Sequence, residues 1–300
     1  MTPSKRVVFF GNERLVSGLK HSDTPVLKGL IAHEYDIVAI VASHTNATSR
    51  NARVLEVSEI AREHNIPLLL PNKPGDIEQE LRDLNADFAI LSAYGRIIPQ
   101  RVIDVFGDIG IINIHPSLLP KYRGSTPIES AILSGDDIAG VSIMQLTAGM
   151  DEGPVYAQRS IELRGDETKF ELYDQLSTLG ANLLLEMLPS IISGKSTPNP
   201  QRSDDASYTT MITKSSGIVD PLTDNATIIE RKVRAYLGFP KSTYRYRDND
   251  VIITSSKVIE SPLENELCIP CVQNSTLLVE SLIAPSGKSM SGSAYLRGLR

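Results

Sequence analysis

Residues 87–120 read DFAILSAYGRIIPQRVIDVFGDIGIINIHPSLLP, and this stretch decides the fold. DFAILSA is short and almost continuously apolar, which predicts a strand buried on both faces. IPQRVIDVF has helical spacing, and GIIN opens a second buried strand. A strand, a helix and another buried strand make a βαβ unit, whose strands lie parallel.

The same alternation extends toward the N-terminus. RVVFF, DIVAIVA and IPLLL predict strands; VLKGLIAHE, VLEVSEIAREH and IEQELRDL predict the helices between them. The expected architecture is therefore α/β, a Rossmann-like, doubly wound, mostly parallel sheet. Downstream, PIESAILSGD predicts a short helix, and GVSIMQLT and PVYAQRSIEL are extended. KFELYDQLSTLGANLLLEMLPSIISG predicts a long helix ending near Gly194. Residues 195–207, KSTPNPQRSDDAS, are polar with two prolines and predict a linker. It divides the chain into a first domain over 1–205 and a second over 206–300. In the second, TIIERKVRAYL predicts a helix, and TYRYR, DVIITSSKVI, ELCIPCV and TLLVESLIAP predict strands of a small, OB-like β-barrel.

Of the 300 residues 41 % are hydrophobic, enough for a real core and too many for global disorder. The apolar run at the N-terminus is too short for a signal peptide, and no run approaches a membrane span, so a cytoplasmic protein is expected. The net charge of −6 argues against a general nucleic-acid binder. Over 207–300, however, 11 Lys and Arg stand against 9 Asp and Glu, a net +2 that leaves −8 for the rest. The last third can thus approach a polyanion that the first part repels. Cys268 and Cys271 are the only cysteines. Their C-x-x-C spacing lacks the two further ligands of a zinc site and lies in a strand pattern, so they read as small apolar residues, and no metal is expected. The first strand ends Phe10-Gly11-Asn12-Glu13, without the glycine fingerprint of a dinucleotide site.

The chemistry concentrates in residues 111–127, IINIHPSLLPKYRGSTP. Asn113 and His115 are two apart on an extended chain, so their side chains share a face. They fall at the carboxyl end of a parallel strand, where open α/β sheets place ligands. An amide donor beside an imidazole suits an oxygen that becomes negative, and the imidazole also moves protons near neutrality. Pro116 and Pro120 stiffen the loop that follows. Later, LTAGMDEGPVY places Asp151 between Gly149 and Gly153. Spacing alone leaves two equal readings of Asp151: a carboxylate that orients His115, or a turn Asp bonded to its own backbone. Without further comparison these residues support acyl-transfer or amide chemistry at a strand end, and no more.

Asn113-Ile114-His115-Pro116-Ser117-Leu118-Leu119-Pro120, followed by Lys121-Tyr122-Arg123-Gly124 and later by Asp151-Glu152-Gly153, resembles the hallmark of the folate-dependent formyltransferase family. The resemblance implies the formyltransferase fold and 10-formyltetrahydrofolate as co-substrate, with no metal. It implies oxyanion stabilisation by Asn113 and His115, proton movement assisted by Asp151, and folate contacts from Ser117, Leu118, Leu119 and Pro120. AYGRIIP, ASYTTMITKSSGIVD, KVRAYLGFP and IAPSGKSMSGSAYLRG extend the similarity over nearly the whole chain, to the branch of the family that formylates initiator methionyl-tRNA. On that basis Arg50 and Arg53, in the loop after the second strand, are expected to meet the acceptor end of the tRNA. Arg231, Lys232 and Arg234 are expected to contribute to its binding by the second domain. The chain is expected to act as a monomer, with no protein partner. An amino-sugar nucleotide as acceptor, or a folate- or RNA-binding relative without catalysis, are the competing readings.

Overall fold

The computed structural model describes residues 5–12, 24–43 and 56–299. Arg50 and Arg53 lie outside the described residues. The first strands are continuous apolar runs: β1 (Arg6–Phe10), with Val7, Val8, Phe9 and Phe10 fully buried, and β2 (Asp36–Val41). Between them α1 (Pro25–Ala32) opens on a proline, whose missing N–H costs nothing at a helix start. Then come α2 (Glu56–Glu63), a two-residue β3 (Leu68–Leu69), α3 (Glu78–Asp83), β4 (Phe88–Leu91) and α4 (Gln100–Ile103). The α-helical part of IPQRVIDVF is only one turn long, continued by a tighter 3-10 turn to Phe106. β5 (Ile111–His115), α5 (Pro127–Ser134), β6 (Ile138–Gln145) and β7 (Val155–Glu162) follow. The long α6 (Lys169–Ile192) is capped by Thr168, whose hydroxyl accepts from Glu171 N while the Glu171 carboxylate accepts from Thr168 N.

Among the described residues seven strands form one sheet in the order β3-β2-β1-β4-β5-β6-β7. From β3 to β5 the neighbours are parallel; β6 and β7 add antiparallel pairs. The strand order reverses between β1 and β4, which directs the carboxyl ends of β1, β4 and β5 toward one crevice.

The second sheet is antiparallel, built from β8 (Ser242–Tyr246), β9 (Asn249–Ile259), β10 (Cys268–Cys271), β11 (Ser275–Ile283) and β12 (Ser289–Ser291). β10 and β12 share one edge of β11, and a register shift between Val279 and Ser281 bends the β9–β11 pair. The sheet curls into a half-barrel around Val251, Ile253, Leu277 and Val279. A helix before it, α7 (Ala226–Ala235), contributes Ile229 and Val233 to that core. Pro270 is tolerated because β10 is an edge strand, and the thiols of Cys268 and Cys271 are free.

α7 also ties the two cores together, because Ala235 and Tyr236 at its end pack in the core of the first domain. Beside them Lys169, 1 % exposed, places Nζ 3.6 Å from Glu129 Oε1 and donates to Phe239 O at 3.0 Å. Burial pushes the Lys169 ammonium down and the Glu129 carboxyl up, each opposed by the partner's charge.

Removing one member of a buried pair leaves the other uncompensated. Lys169→Met should therefore destabilise the fold by about 3–5 kcal/mol in denaturant unfolding, and adding Glu129→Gln should recover much of that loss. In the single variant Glu129 takes up its proton more readily folded than unfolded. Its stability should therefore fall as pH rises above the ordinary carboxylate range.

Candidate active site

β5 delivers Asn113 and His115, each 5 % exposed, to the carboxyl edge of the sheet. His115 Nε2 lies 2.9 Å from Tyr122 O. A carbonyl only accepts, so Nε2 carries a proton, and Nδ1 is the nitrogen that faces the site. Nδ1 stands 3.7 Å from Asp151 Oδ2. The carboxamide of Asn113 has no side-chain hydrogen bond among the described residues, which leaves a buried amide available to a ligand.

Asp151 sits in the turn between β6 and β7 with φ of 50°, a left-handed conformation that Asp adopts more readily than most residues. Gly153 makes the turn possible: a Cβ there would lie 1.8 Å from Gln145 O. Asp151 Oδ2 accepts from Gly124 N at 2.8 Å, where φ of 108° again requires glycine. The carboxylate thus bonds across to another loop, at Gly124 N, and faces His115.

The loop 116–124 is held from behind. Ser117 Oγ donates to Lys121 O at 2.5 Å, so this hydroxyl shapes the loop from within. Ser142 on β6 donates to Ser117 O at 2.6 Å and accepts from Leu119 N at 3.0 Å. Gln158 on β7 donates to Leu119 O at 2.7 Å and to Ser142 Oγ at 2.8 Å. Leu118 packs against Gly140 on β6. Leu119 and Pro120 line a cavity of about 310 Å³ with Tyr156, Gln158, Gln201 and Arg202. Ser142 and Gln158 were not expected from sequence; the available signal was a lone Ser inside the apolar run GVSIMQLT.

The basic residues expected on α7 are used otherwise. Arg231 Nη1 donates to Ser134 O at 3.1 Å. Lys232 Nζ pairs with Asp224 Oδ2 at 2.5 Å. Arg234 is bidentate on Glu230, and its Nη1 donates to Glu167 O at 2.9 Å. α7 packs on α5 of the first domain, so Arg231 and Arg234 bond to that domain while Lys232 is neutralised locally. All three therefore have partners within the chain. Lys214, Lys241 and Arg247 are exposed instead. Among the described residues no group of three His, Cys, Asp or Glu is placed to hold a metal ion, and no helix is long and apolar enough to cross a membrane.

Residues 6–188 match the family described as formyl transferase. A methionyl-tRNA formyltransferase of Sulfurihydrogenibium sp. is 32 % identical over 290 residues, covering 91 % of this chain and 93 % of that protein. Among solved structures, HypX from Aquifex aeolicus in complex with tetrahydrofolic acid superposes with a TM-score of 0.68 at 18 % identity. That match covers 97 % of this chain and 46 % of HypX, so the chain spans about half the length of that protein. The N-formyltransferase of Helicobacter canadensis, solved with folinic acid and dTDP-3-aminofucose, gives 0.68 at 16 % identity over 92 % of this chain and 98 % of its own. At these identities the structures share the fold.

Proposed function

We propose how the site works from the premise that the chain belongs to the methionyl-tRNA formyltransferase family. It transfers the formyl group of 10-formyltetrahydrofolate to the free amino group of methionyl-tRNA, giving the N-formylmethionyl-tRNA that initiates translation. The observation that carries our assignment of residues is the pairing of His115 Nδ1 with Asp151 at 3.7 Å, beside an unengaged Asn113.

The amine nitrogen attacks the formyl carbon, a C–N bond forms, and the carbonyl oxygen becomes an anion. Asn113 donates one N–H to that oxygen and His115 donates through Nδ1–H, its Nε2–H being held by Tyr122 O. Asp151 takes the proton that the amine loses and stabilises the charged imidazole. The bond from N10 to the formyl carbon then breaks, N10 takes up a proton, and tetrahydrofolate leaves. In this reading the loop 117–120 supports the folate, with Leu119 and Pro120 forming the contact surface and Ser117 the frame. Residues 1–205 carry catalysis and 206–300 the tRNA contact, in a cytosolic, monomeric enzyme.

His115→Ala and Asn113→Ala should each lower kcat by about 10²–10³ with little change in KM for the folate, because the lost donor acts in the transition state. Asp151→Asn should also be slow while still binding folate. Steady-state kinetics with folate titrations check all three, and near-normal kcat in any would remove that residue from its role. Offering methionyl-tRNA and an amino-sugar nucleotide side by side, with mass spectrometry of both, tests the acceptor. Formylation of the sugar alone would overturn the tRNA assignment.

The tRNA contact has its own test. Neutralising Lys214, Lys241 or Arg247 should lower the slope of log affinity against log salt by about one for each phosphate left without its cation. Neutralising Arg234 should instead lower the melting temperature, since its charge fastens α7 to the first domain. Fluorescence anisotropy across a salt series and thermal unfolding distinguish the two.

A further inference from the structure

We infer that Gln201 and Arg123 are positioning residues, a clamp that holds Asp151 at its place beside His115. The inference rests on the reading of Asp151 as the proton acceptor and adds what fixes that carboxylate.

Gln201 belongs to the segment expected as a linker, yet every hydrogen-bonding group of its side chain is engaged. Nε2 donates to Asp151 O and to Gly153 O, both at 2.7 Å. Oε1 accepts from Arg123 Nε at 3.0 Å and Arg123 Nη2 at 2.8 Å. The orientation of the carboxamide is therefore unambiguous: flipped, it would set oxygen against two carbonyls and N–H against a guanidinium. The two carbonyls bracket Glu152, so one side chain grips the turn on both sides of its bend. A non-glycine residue in the left-handed region persists where its surroundings over-determine it, and Asp151 is such a residue.

Arg123 completes the clamp from the other side. It is 3 % exposed, and its Nη1 donates to Tyr208 OH at 3.0 Å. Its backbone is bracketed by the same segment, with Arg123 N donating to Ser207 O and Thr209 N donating to Arg123 O, both at 2.8 Å. The residues on either side touch the chemistry: Tyr122 O accepts from His115 Nε2, and Gly124 N donates to Asp151 Oδ2. Three consecutive residues thus set the ring, the clamp and the carboxylate. Gln201 reaches this cluster from 50 residues beyond Asp151.

Gln201→Glu tests this cleanly, because it keeps the acceptor for Arg123 and removes both donors to the turn. Three readouts are taken on the full chain: kcat with folate KM, the melting temperature, and hydrogen exchange of the Gly124 amide. The expected result is a folded variant with kcat reduced about 10²-fold, the cost of a small misplacement, and folate KM within about twofold. The Gly124 amide should exchange faster. A folded Gln201→Glu with kcat within about threefold of the parent, a change too small for a displaced catalytic group, and unchanged Gly124 exchange overturns the inference. Should that variant not fold, the same readouts and criteria apply to Gln201→Met, which keeps the size without any of the four hydrogen bonds. Asp151→Asn is measured alongside. If it retains kcat, the reading of Asp151 has failed; if it is slow while the folded Gln201 variants are fast, only the clamp has.

Discussion

A guanidinium buried to 3 % exposure needs partners for its donors, and that requirement draws two distant segments onto Arg123. Gln201 and Tyr208 come from the stretch between the domains. Glu152, 3.6 Å from Nη1, comes from the turn that carries Asp151, and Tyr208 OH donates to the same carboxylate at 3.1 Å. In Arg123's own loop, the neighbouring Tyr122 carbonyl holds His115 Nε2. With any of these absent, a cation would be left buried and short of partners, which costs several kcal/mol on the scale of buried charges. The loop, the turn and the segment between the domains, a strap over residues 199–209, therefore hold one another, with His115 and Asp151 beside them.

The parallel sheet was legible because strands buried on both faces must be apolar without interruption, and RVVFF, DIVAIV and FAIL are. Asn113 and His115 were legible for a related reason: polar residues two apart at the end of such a run need a polar purpose. The strap was not legible. KSTPNPQRSDDAS has the composition of a spacer, and what makes Gln201 more than that is a partner 78 residues away at Arg123. Local pattern carries no information about such a pairing. Ser142 and Gln158 belong to the same class: their work is to satisfy backbone groups of a loop that no spacing rule connects to them.

The charge pattern was only partly legible, for a different reason. Arg231, Lys232 and Arg234 stand close together on an amphipathic helix, and each has a partner within the chain that a count of signs does not reveal. A formal count does not distinguish a solvated cation from one already paired. Arg234 has Glu230 one turn before it, a spacing that by itself indicates a local pair. Arg231 bonds a carbonyl at the end of α5, the favourable place for a cation beside a helix C-terminus.

The way α7 docks bears on how the acceptor is presented. Ala235 and Tyr236 pack into the first domain's core, and Lys169 from that domain bonds the carbonyl of Phe239 beyond the helix. The segment between the domains is no free tether either: Asn199 pairs with Val155 in both directions at 2.8 Å, and Ser207 and Thr209 flank Arg123. These contacts fix the strap against the sheet that carries β5, and α7 against α5 beside it. A tRNA held by residues beyond the strap would then meet His115 and Asp151 without an intervening hinge to order. Binding energy gained far from the reacting amine is in that case available for orienting it, which is where a reaction with so little covalent participation by the protein stands to gain most.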